Sequence, residues 1–337
     1  MQKNMGTNTK TPLLEAKNLK IAFAGAKGFI KAVEGIDFFV NEGECAAIVG
    51  ESGCGKSVTA LSVLKLLNGP PALYTADKLS FVSSKGEIDI LSASETEMRA
   101  IRGNEISMIY QDASTSLNPV LTVGEQIAEM FLYHRGMNKK NAEAASVELM
   151  EKIGLFPAAK RFKQFPHELS GGMKQRILIA MATACKPRLM LADEPTTALD
   201  VTVQAQILKL IADLRAENGM AVLFITHDLG AVRAAADRVY VMYCGKIMEE
   251  GYTDELIDSP LHPYTKGLIG SVPDLDMKKG ERLVQIPKNV PHPLDKPSGC
   301  FFSDRCIECE SICKKYMPPL TRIGESRAVR CWKVRGV

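Results

Sequence analysis

The sequence has no long hydrophobic run and no excess of charge of one sign. None of its apolar runs approaches the roughly 18–20 residues that a membrane-spanning helix needs, and residues 1–10 are polar, unlike a signal peptide. Lys and Arg number 42 against 39 Asp and Glu, a near-balance that gives no support to nucleic acid as the main partner. We therefore expect a protein that does not cross a membrane by itself, although it can lie on one, and that has no nucleic acid partner.

Strong compositional bias is also absent. Hydrophobic residues make up 46% and charged residues 24% of the chain, which are ordinary values for a globular protein. Disorder, a collagen-like repeat and a coiled coil are therefore excluded for the bulk of the chain, and no repeat of solenoid length is visible. At roughly 100–200 residues per domain, 337 residues predict one large domain with an extension, or two domains.

The nine cysteines are unevenly distributed. An odd total without a secretion signal argues against a disulfide framework. Five of the nine fall within the last 38 residues: Cys300, Cys306, Cys309, Cys313 and Cys331. A reduced protein with such a segment is expected to bind a metal or a cluster there.

Proline marks a boundary in the chain. Seven prolines fall between residues 260 and 297, a density that excludes a long regular helix. We predict a compact domain over residues 1–255 and an extension with irregular backbone over residues 256–337.

Short apolar runs alternate with helical patterns in the first part. Runs of four or five apolar residues bounded by turn signals are typical of buried parallel strands. Helical spacing of apolar residues is found at 203–214 and within 123–153. The predicted strands are 45–49, 106–109, 189–192 and 221–225. This alternation predicts an α/β nucleotide-binding fold with a helical insert at about 112–170.

The strongest motif is a glycine-rich loop of the form G-x-x-x-x-G-K-S that directly follows the first predicted strand. Its backbone N–H groups can converge on phosphate oxygens, Lys56 can reach the β- and γ-phosphates, and the Ser57 hydroxyl can bind Mg²⁺. A helical pattern at 58–67 follows and directs its positive end at the anion. The predicted nucleotide-binding residues of this segment are Gly50, Glu51, Ser52, Gly53, Cys54, Gly55, Lys56, Ser57 and Val58.

Two further motifs complete the pattern. The predicted strand at 189–192 ends in Asp193 and Glu194, which are expected to hold Mg²⁺ and to orient or deprotonate the attacking water, respectively. Ser170, Gly171 and Gly172 precede an apolar helical run and predict a second anion site at a helix N-terminus. Because one glycine-rich loop already holds the nucleotide, the second site is expected to close over the nucleotide of a partner chain.

In this order the three motifs resemble those of the ABC-type ATPase family, over about residues 13–255. The resemblance implies that Gln111 is the Q-loop glutamine, which binds Mg²⁺ together with Ser57 and Asp193 and senses a transmembrane partner. It also implies that His227 contacts the γ-phosphate, and that Lys56, Glu194 and His227 are the catalytic residues. Phe23 lies about where the family places an aromatic residue that stacks on adenine, and Phe29 competes for that role.

The extension carries a narrower resemblance. Residues 259–268, Ser-Pro-Leu-His-Pro-Tyr-Thr-Lys-Gly-Leu, resemble the extension of dipeptide and oligopeptide importer ATP-binding subunits, a group that includes nickel importers. His262 in this segment is expected to be structural. Residues 111–119 are also typical of that group.

The cysteine pattern of the tail is similar to that of the same extension, in which some members hold a [4Fe–4S] cluster. The implied ligands are Cys300, Cys306, Cys313 and Cys331. Four thiolates from an irregular segment suit a cubane cluster or Zn²⁺. Cys309 could replace one of the four, and a Cys-rich tail without metal is the third alternative.

The resemblance implies an α/β, P-loop ABC-type nucleotide-binding domain with a helical insert and a small Cys-rich C-terminal extension. The implied activity is ATP hydrolysis with Mg²⁺ that powers an importer of di- or oligopeptides, or of nickel or another solute. The implied partners are transmembrane permease subunits, a second ABC ATPase subunit in a homo- or heterodimer, and an extracytoplasmic solute-binding protein. The implied location is the cytoplasmic face of the cell membrane, as a peripheral subunit. A soluble ABC ATPase and a degenerate regulatory partner are the rivals.

Overall fold

The computed structural model describes residues 11–25, 28–67, 72–197, 199–272 and 285–334. Pro273, which belongs to the proline-rich stretch, lies outside these residues. The strands in the described part of the chain are β1 (Leu14–Gly25), β2 (Gly28–Val40), β3 (Cys45–Val49), β4 (Ala72–Thr75), β5 (Lys78–Ser83), β6 (Gly86–Asp89), β7 (Ile106–Ile109), β8 (Leu189–Asp193), β9 (Ala221–Thr226), β10 (Arg238–Tyr243), β11 (Lys246–Tyr252), β12 (Thr321–Ile323) and β13 (Arg327–Val329).

Helices connect these strands. In chain order they are α1 (Lys56–Val63), α2 (Glu95–Ile101), α3 (Ala113–Ser116), α4 (Val123–Arg135), α5 (Lys139–Lys152), α6 (Ala158–Phe162), α7 (Gly171–Thr183), α8 (Val201–Asn218), α9 (Leu229–Ala235), α10 (Thr253–Asp258), α11 (Pro263–Gly270) and α12 (Ser311–Lys315). A 3₁₀ turn spans Pro166–Glu168. No helix of the described residues is long and apolar enough to span a membrane.

A parallel sheet forms the centre of the fold. Its strands lie in the order β10-β3-β9-β8-β7, and β3, β8, β9 and β10 are buried along their whole length. Because both faces of the sheet are buried, these strands are continuous apolar runs rather than alternating apolar and polar residues. The four predicted strands correspond to β3, β7, β8 and β9 and are confirmed, each within one residue at its ends, whereas β10 is not among the predictions.

Two hydrophobic cores lie on opposite faces of this sheet. Successive residues of β3 alternate between them: Ala46 and Ile48 belong to one core, Ala47 and Val49 to the other. The first core is shared with α1 and with an antiparallel sheet in the order β2-β1-β5-β6, to which β4 adds beside β1. The second core lies under α4, α5, α7 and α8.

The helical insert predicted at 112–170 contains α3 to α6 and the 3₁₀ turn. Its longer helices begin at polar caps: the Thr122 hydroxyl accepts from Glu125 N at the start of α4, and the Asn138 side chain accepts from Asn141 N at the start of α5. The inward faces of these helices pack on the second core through residues such as Ile127 and Met150.

The extension is more regular than its proline content suggests. Pro263 occupies the first turn of α11, where a missing N–H costs nothing, and other prolines fall between elements. Strands β12 and β13 continue the central sheet beyond β11. The irregular backbone expected over 256–337 is therefore limited, among the described residues, to the segments between these elements.

A fully buried carboxylate joins the extension to the sheet. Glu249 of β11 accepts hydrogen bonds from the backbone N–H groups of Leu261 and His262, both at 2.9 Å, and from Arg327 Nη2 at 2.8 Å. A buried charge is costly unless it is paired and hydrogen-bonded, so these three donors from the extension meet a requirement that the sheet residue Glu249 creates.

Candidate active site

The predicted site segments follow strands at one edge of the parallel sheet. The glycine-rich loop follows β3, Gln111 follows β7, Asp193 ends β8 and His227 follows β9. The carboxyl ends of parallel strands lie on the same side of the sheet, where ligands bind in folds of this class. Residues far apart in the sequence are thereby brought to one place.

The glycine-rich loop is held tightly against its neighbours. A Cβ atom on Gly50 would lie 2.1 Å from the Met242 carbonyl oxygen, and one on Gly55 would lie 2.6 Å from the Ala32 carbonyl oxygen. Gly55 also has φ +107°, a conformation that side chains disfavour. Larger residues at either position would displace the loop that leads into α1.

The side chains of the loop divide into two groups. Ser52 and Gly53 are exposed, whereas Cys54 is buried and Val58 packs against the first core. Burial raises the pKa of the Cys54 thiol. Cys54 and Val58 can therefore offer a phosphate only their backbone groups.

Lys56 begins α1 and is nearly buried. Its Nζ donates to the carbonyl oxygens of Gly50 at 2.8 Å and Glu51 at 3.1 Å. The ammonium group thus lies inside the loop that its own carbonyls form, within reach of an anion bound to the same loop.

Ser57 and Asp193 form a pair across the P-loop and β8. The Ser57 hydroxyl donates to Asp193 Oδ1 at 3.0 Å. Burial raises the pKa of Asp193, the Ser57 hydrogen bond opposes that rise, and the neighbouring Glu194 charge adds to it. A hydroxyl and a carboxylate at this distance are oxygen ligands of the kind that Mg²⁺ prefers.

Glu194 is the centre of the polar cluster. Its Oε2 accepts from Gln111 Nε2 at 3.0 Å and from the Thr197 hydroxyl at 2.9 Å, and its Oε1 lies 3.2 Å from His227 Nδ1. Burial raises the pKa of this carboxyl, but the hydrogen bonds from Thr197 and His227 outweigh burial and hold the pKa below its ordinary value. The group is therefore ionised at neutral pH.

The backbone of Glu194 is also unusual. Its φ is +46°, and its N–H donates to the Ile225 carbonyl of β9 at 2.8 Å. A non-glycine residue in this region is strained and is retained where the surroundings enforce it. The carboxylate of this residue is the one that contacts Gln111 and His227.

The second anion motif forms the start of a different helix. Ser170 is the N-cap of α7, and its side chain makes no capping hydrogen bond. Ser170 and Gly171 are exposed, while a Cβ on Gly172 would lie 2.7 Å from Val203 Cγ1. No hydrogen bond of the described residues joins these three to the glycine-rich loop.

Both candidate adenine-stacking residues lie in the antiparallel sheet. Phe23 is a partly buried residue of β1 that pairs with Ile30 of β2 and Ala72 of β4, and Phe29 of β2 is 57% exposed. The two therefore remain alternatives.

Two contacts to the glycine-rich loop come from the extension and are not foreseen in the sequence analysis. The Tyr264 hydroxyl accepts from the Glu51 N–H at 2.9 Å, and Arg305 forms an ion pair with the Glu51 carboxylate. Tyr264 belongs to the His-Pro-Tyr segment, whose sequence indicates a family resemblance but no contact with the loop. His262 of that segment caps α11 by accepting from Tyr264 N, and burial lowers its pKa to about 3, so it is neutral and structural as expected.

The extension also contains a small cavity lined by the four predicted cysteine ligands Cys300, Cys306, Cys313 and Cys331. Cys309 does not line it. Ser303, another lining residue, is buried, and its hydroxyl has no hydrogen-bond partner in the described part of the chain. Among the described residues, no group of three or more His, Cys, Asp or Glu side chains is arranged to hold a metal ion.

Comparisons with known proteins agree with these observations. A family model described as ABC transporter matches residues 33–197, and one described as the oligopeptide/dipeptide transporter C-terminal region matches residues 248–313. The oligopeptide transport ATP-binding protein AppD of Bacillus subtilis (strain 168) is 48% identical over 321 residues, which cover 95% of this chain and 96% of AppD. The dipeptide transport ATP-binding protein DppD of the same strain is 46% identical over 320 residues, covering 95% and 94%.

Solved structures show the same fold. The ATP-binding cassette MJ0796, in a dimeric post-hydrolysis state bound to ADP and Pi, superposes with a TM-score of 0.62 at 26% identity, over 71% of this chain and 98% of that chain. CbiO1 of Clostridium perfringens, part of the transporter complex cbiONQ, superposes with a TM-score of 0.60 at 22% identity, over 74% and 92%. The chain therefore belongs to the family of ABC transporter ATP-binding proteins with an oligopeptide/dipeptide-type C-terminal region, and it is an ATPase that binds ATP with Mg²⁺.

Proposed function

We propose that the chain hydrolyses ATP to power an importer of di- or oligopeptides. The observation that carries this proposal is the match of residues 248–313 to the oligopeptide/dipeptide transporter C-terminal region, in a chain whose relatives AppD and DppD are named for peptide transport. The structure supports an integral role for that region, because Tyr264 within it binds the glycine-rich loop.

The arrangement of polar groups suits hydrolysis of a bound nucleoside triphosphate. Glu194, ionised and directed by its backbone, orients and deprotonates the attacking water. Lys56 balances charge on the β- and γ-phosphates, and His227, beside Glu194, contacts the γ-phosphate. Mg²⁺ supplies charge neutralisation at the phosphates and would be held by the oxygens of Ser57, Asp193 and Gln111.

The complete site needs a second ATPase subunit. Ser170, Gly171 and Gly172 begin an exposed helix N-terminus and make no hydrogen bond to the glycine-rich loop of their own chain among the described residues. A partner subunit, identical or related, would place its nucleotide against this helix. The dimeric state of MJ0796 supports such a pairing.

The transporter would contain further chains. Permease subunits form the path across the membrane, and the helical insert at 112–170 docks on their cytoplasmic side. The chain is accordingly a peripheral protein at the cytoplasmic face of the cell membrane, and an extracytoplasmic solute-binding protein delivers the solute.

Reconstitution tests the solute class. The chain, its second ATPase subunit and the permeases that co-purify with it from membranes are incorporated into proteoliposomes with the solute-binding protein. Uptake of labelled di- and oligopeptides is expected to require ATP and to stop in a Glu194→Gln complex. ATP-dependent uptake of nickel without uptake of peptides would favour the alternative solute, and an absence of any co-purifying permease would contradict the transporter role.

We further propose that the cysteine cavity of the extension holds a [4Fe–4S] cluster. The support is that the four predicted cysteines line one cavity, and that the buried Ser303 hydroxyl beside them has a hydrogen bond to donate, as groups near cluster sulfurs do. A cubane cluster also separates its thiolates more widely than a tetrahedral Zn²⁺ with Zn–S distances of about 2.3 Å. Either group would be held by the same four thiolates, and metal analysis distinguishes them.

Iron analysis after anaerobic purification tests this proposal. We expect a brown protein with about four iron atoms per chain. Replacing Cys300 should abolish the iron content, whereas replacing Cys309, the matched control outside the cavity, should leave it unchanged. Colourless protein with stoichiometric zinc would indicate the Zn²⁺ alternative, and metal-free protein with a folded extension would contradict both.

A further inference from the structure

Glu51, the second residue of the glycine-rich loop, makes contacts through its backbone N–H, its backbone carbonyl and its side-chain carboxylate. Its N–H donates to the Tyr264 hydroxyl at 2.9 Å, its carbonyl oxygen accepts from Lys56 at 3.1 Å, and its carboxylate binds Arg305. Two of these three contacts come from the extension rather than from the nucleotide-binding domain. The start of the phosphate-binding loop is therefore shaped by the C-terminal part of the chain.

The contact from Arg305 is a two-point ion pair. Arg305 Nη1 lies 2.5 Å from Glu51 Oε2, and Nη2 lies 2.9 Å from Oε1. A planar guanidinium that binds both carboxylate oxygens fixes orientation as well as charge, which a lysine cannot do.

Arg305 itself is rigidly placed. It is only 5% exposed, its Nε donates to the Pro287 carbonyl at 3.0 Å, and its guanidinium carbon lies 5.7 Å from the Tyr243 ring centroid and 6.0 Å from that of Phe302. Burial lowers the pKa of Arg305, but the hydrogen bonds with Glu51 and Tyr243 outweigh burial and hold that pKa above its ordinary value. The cation is therefore permanent and cannot move away from Glu51 without breaking several contacts.

The contact between Arg305 and Glu51 matters because Glu51 and the nucleotide carry charges of the same sign. The Glu51 carboxylate belongs to a loop that must bind a triphosphate, which is also negative. In a partly desolvated site, an unpaired carboxylate would repel the nucleotide and could reorient the loop. Arg305 removes both effects, because it neutralises the carboxylate and holds both of its oxygens.

We propose that Arg305 is a positioning residue for the nucleotide: by pairing with Glu51 it sets the charge and conformation of the phosphate-binding loop, so that ATP affinity depends on the folded extension. This inference does not depend on the transported solute or on what fills the cysteine cavity.

A set of variants of the full-length chain tests the inference. MgATP affinity is measured by calorimetry, KM and kcat by steady-state hydrolysis, and stability by thermal unfolding. Arg305→Met is expected to weaken MgATP binding and to raise KM roughly tenfold, with a smaller change in kcat. Arg305→Lys keeps the charge and loses the two-point geometry, so its MgATP affinity and KM are expected to lie between those of wild type and Arg305→Met. It replaces Arg305→Met in the comparison if the Met variant does not fold.

The second arm separates charge from packing. Adding Glu51→Gln to Arg305→Met removes the unpaired carboxylate, so the double variant is expected to bind MgATP more tightly than Arg305→Met alone. The matched control is Lys296→Met, since Lys296 also joins the extension to the domain but pairs with Glu34 of β2, at 2.7 Å, and not with the loop. Lys296→Met is expected to lower the unfolding temperature without changing MgATP affinity.

Three results would overturn the inference. The first is an Arg305→Met or Arg305→Lys protein with wild-type MgATP affinity. The second is a double variant that binds no better than Arg305→Met. The third is a loss of affinity in Lys296→Met equal to that in Arg305→Met, which would show that general loosening of the extension is the cause.

Discussion

Replacing Glu194 with Gln is expected to lower the rate of ATP hydrolysis by about 10²–10⁴-fold while MgATP binding is retained. The glutamine has the same size and can keep the contact to Thr197, but it cannot accept a proton from water. The phosphates are proposed to bind elsewhere, at Lys56 and the glycine-rich loop. Single-turnover hydrolysis and equilibrium binding, measured on the same preparation, separate the two effects.

Lys56→Ala provides the contrast. It removes the cation that lies inside the loop, so its main expected effect is a large loss of MgATP affinity.

The pH dependence gives an independent check on Glu194. Because the pKa of Glu194 is held below the ordinary value of a glutamate, the proposed base is ionised throughout the neutral range. Protonation of Glu194 should therefore not lower wild-type activity between about pH 6 and 8. A Gln variant that hydrolyses ATP at a near wild-type rate would show that another group activates the water.

Replacing Ser170 with Arg is expected to reduce ATPase activity by about 10²-fold or more, with MgATP binding to the chain's own glycine-rich loop unchanged. The large cation would occupy the exposed start of α7, where the partner's nucleotide is proposed to lie. In a mixed dimer with a different ATPase subunit, the substitution should inactivate the site that holds the partner's nucleotide. Activity as a function of protein concentration, for the chain alone and with its partner, is the measurement.

Ser94→Arg is the matched control for this substitution. Ser94 is also an exposed helix N-cap, at the start of α2, and its hydroxyl accepts from Glu97 N. Losing that cap should cost about 1 kcal/mol of stability and leave ATPase activity intact. A Ser170→Arg protein with full activity, or a wild-type monomer whose specific activity is independent of concentration and partner, would contradict the proposed site between subunits.

The sequence predicts the parallel sheet well and the antiparallel sheet poorly. The parallel strands β3, β8 and β9 are short and buried along their whole length, so each appears as an isolated apolar run. The strand β10, which is also parallel to β3, is not among the predicted strands. In contrast, β1 and β2 have 12 and 13 residues and pair with several register shifts. Each shift interrupts the alternation of apolar and polar side chains, which is the signal by which such strands are recognised.

Some residues of the candidate site could likewise be predicted from the sequence, and others could not. The motif residues that follow β3, β7, β8 and β9 could be placed from the sequence, because parallel strands bring their ends together. The motif at Ser170 follows no strand and begins α7. The structure adds that Gln111 and His227 meet at Glu194, although their chemical roles remain predictions. Arg305 could not be found in this way, because it pairs with a residue 254 positions earlier and no periodic pattern reports such a contact. Arg305 belongs to no motif in the sequence, and the residue that follows it, Cys306, is predicted only as a cluster ligand.

The pairing of Glu249 with Arg327 has a consequence for biosynthesis. The two residues are 78 positions apart, and at roughly 5–20 residues per second the ribosome needs several seconds to add the segment between them. During that interval β11 has no β13 beside it, and the Glu249 carboxylate lacks its arginine. The nascent ATPase domain therefore presents an open sheet edge, available for pairing with other chains, until the extension is made and β13 covers it.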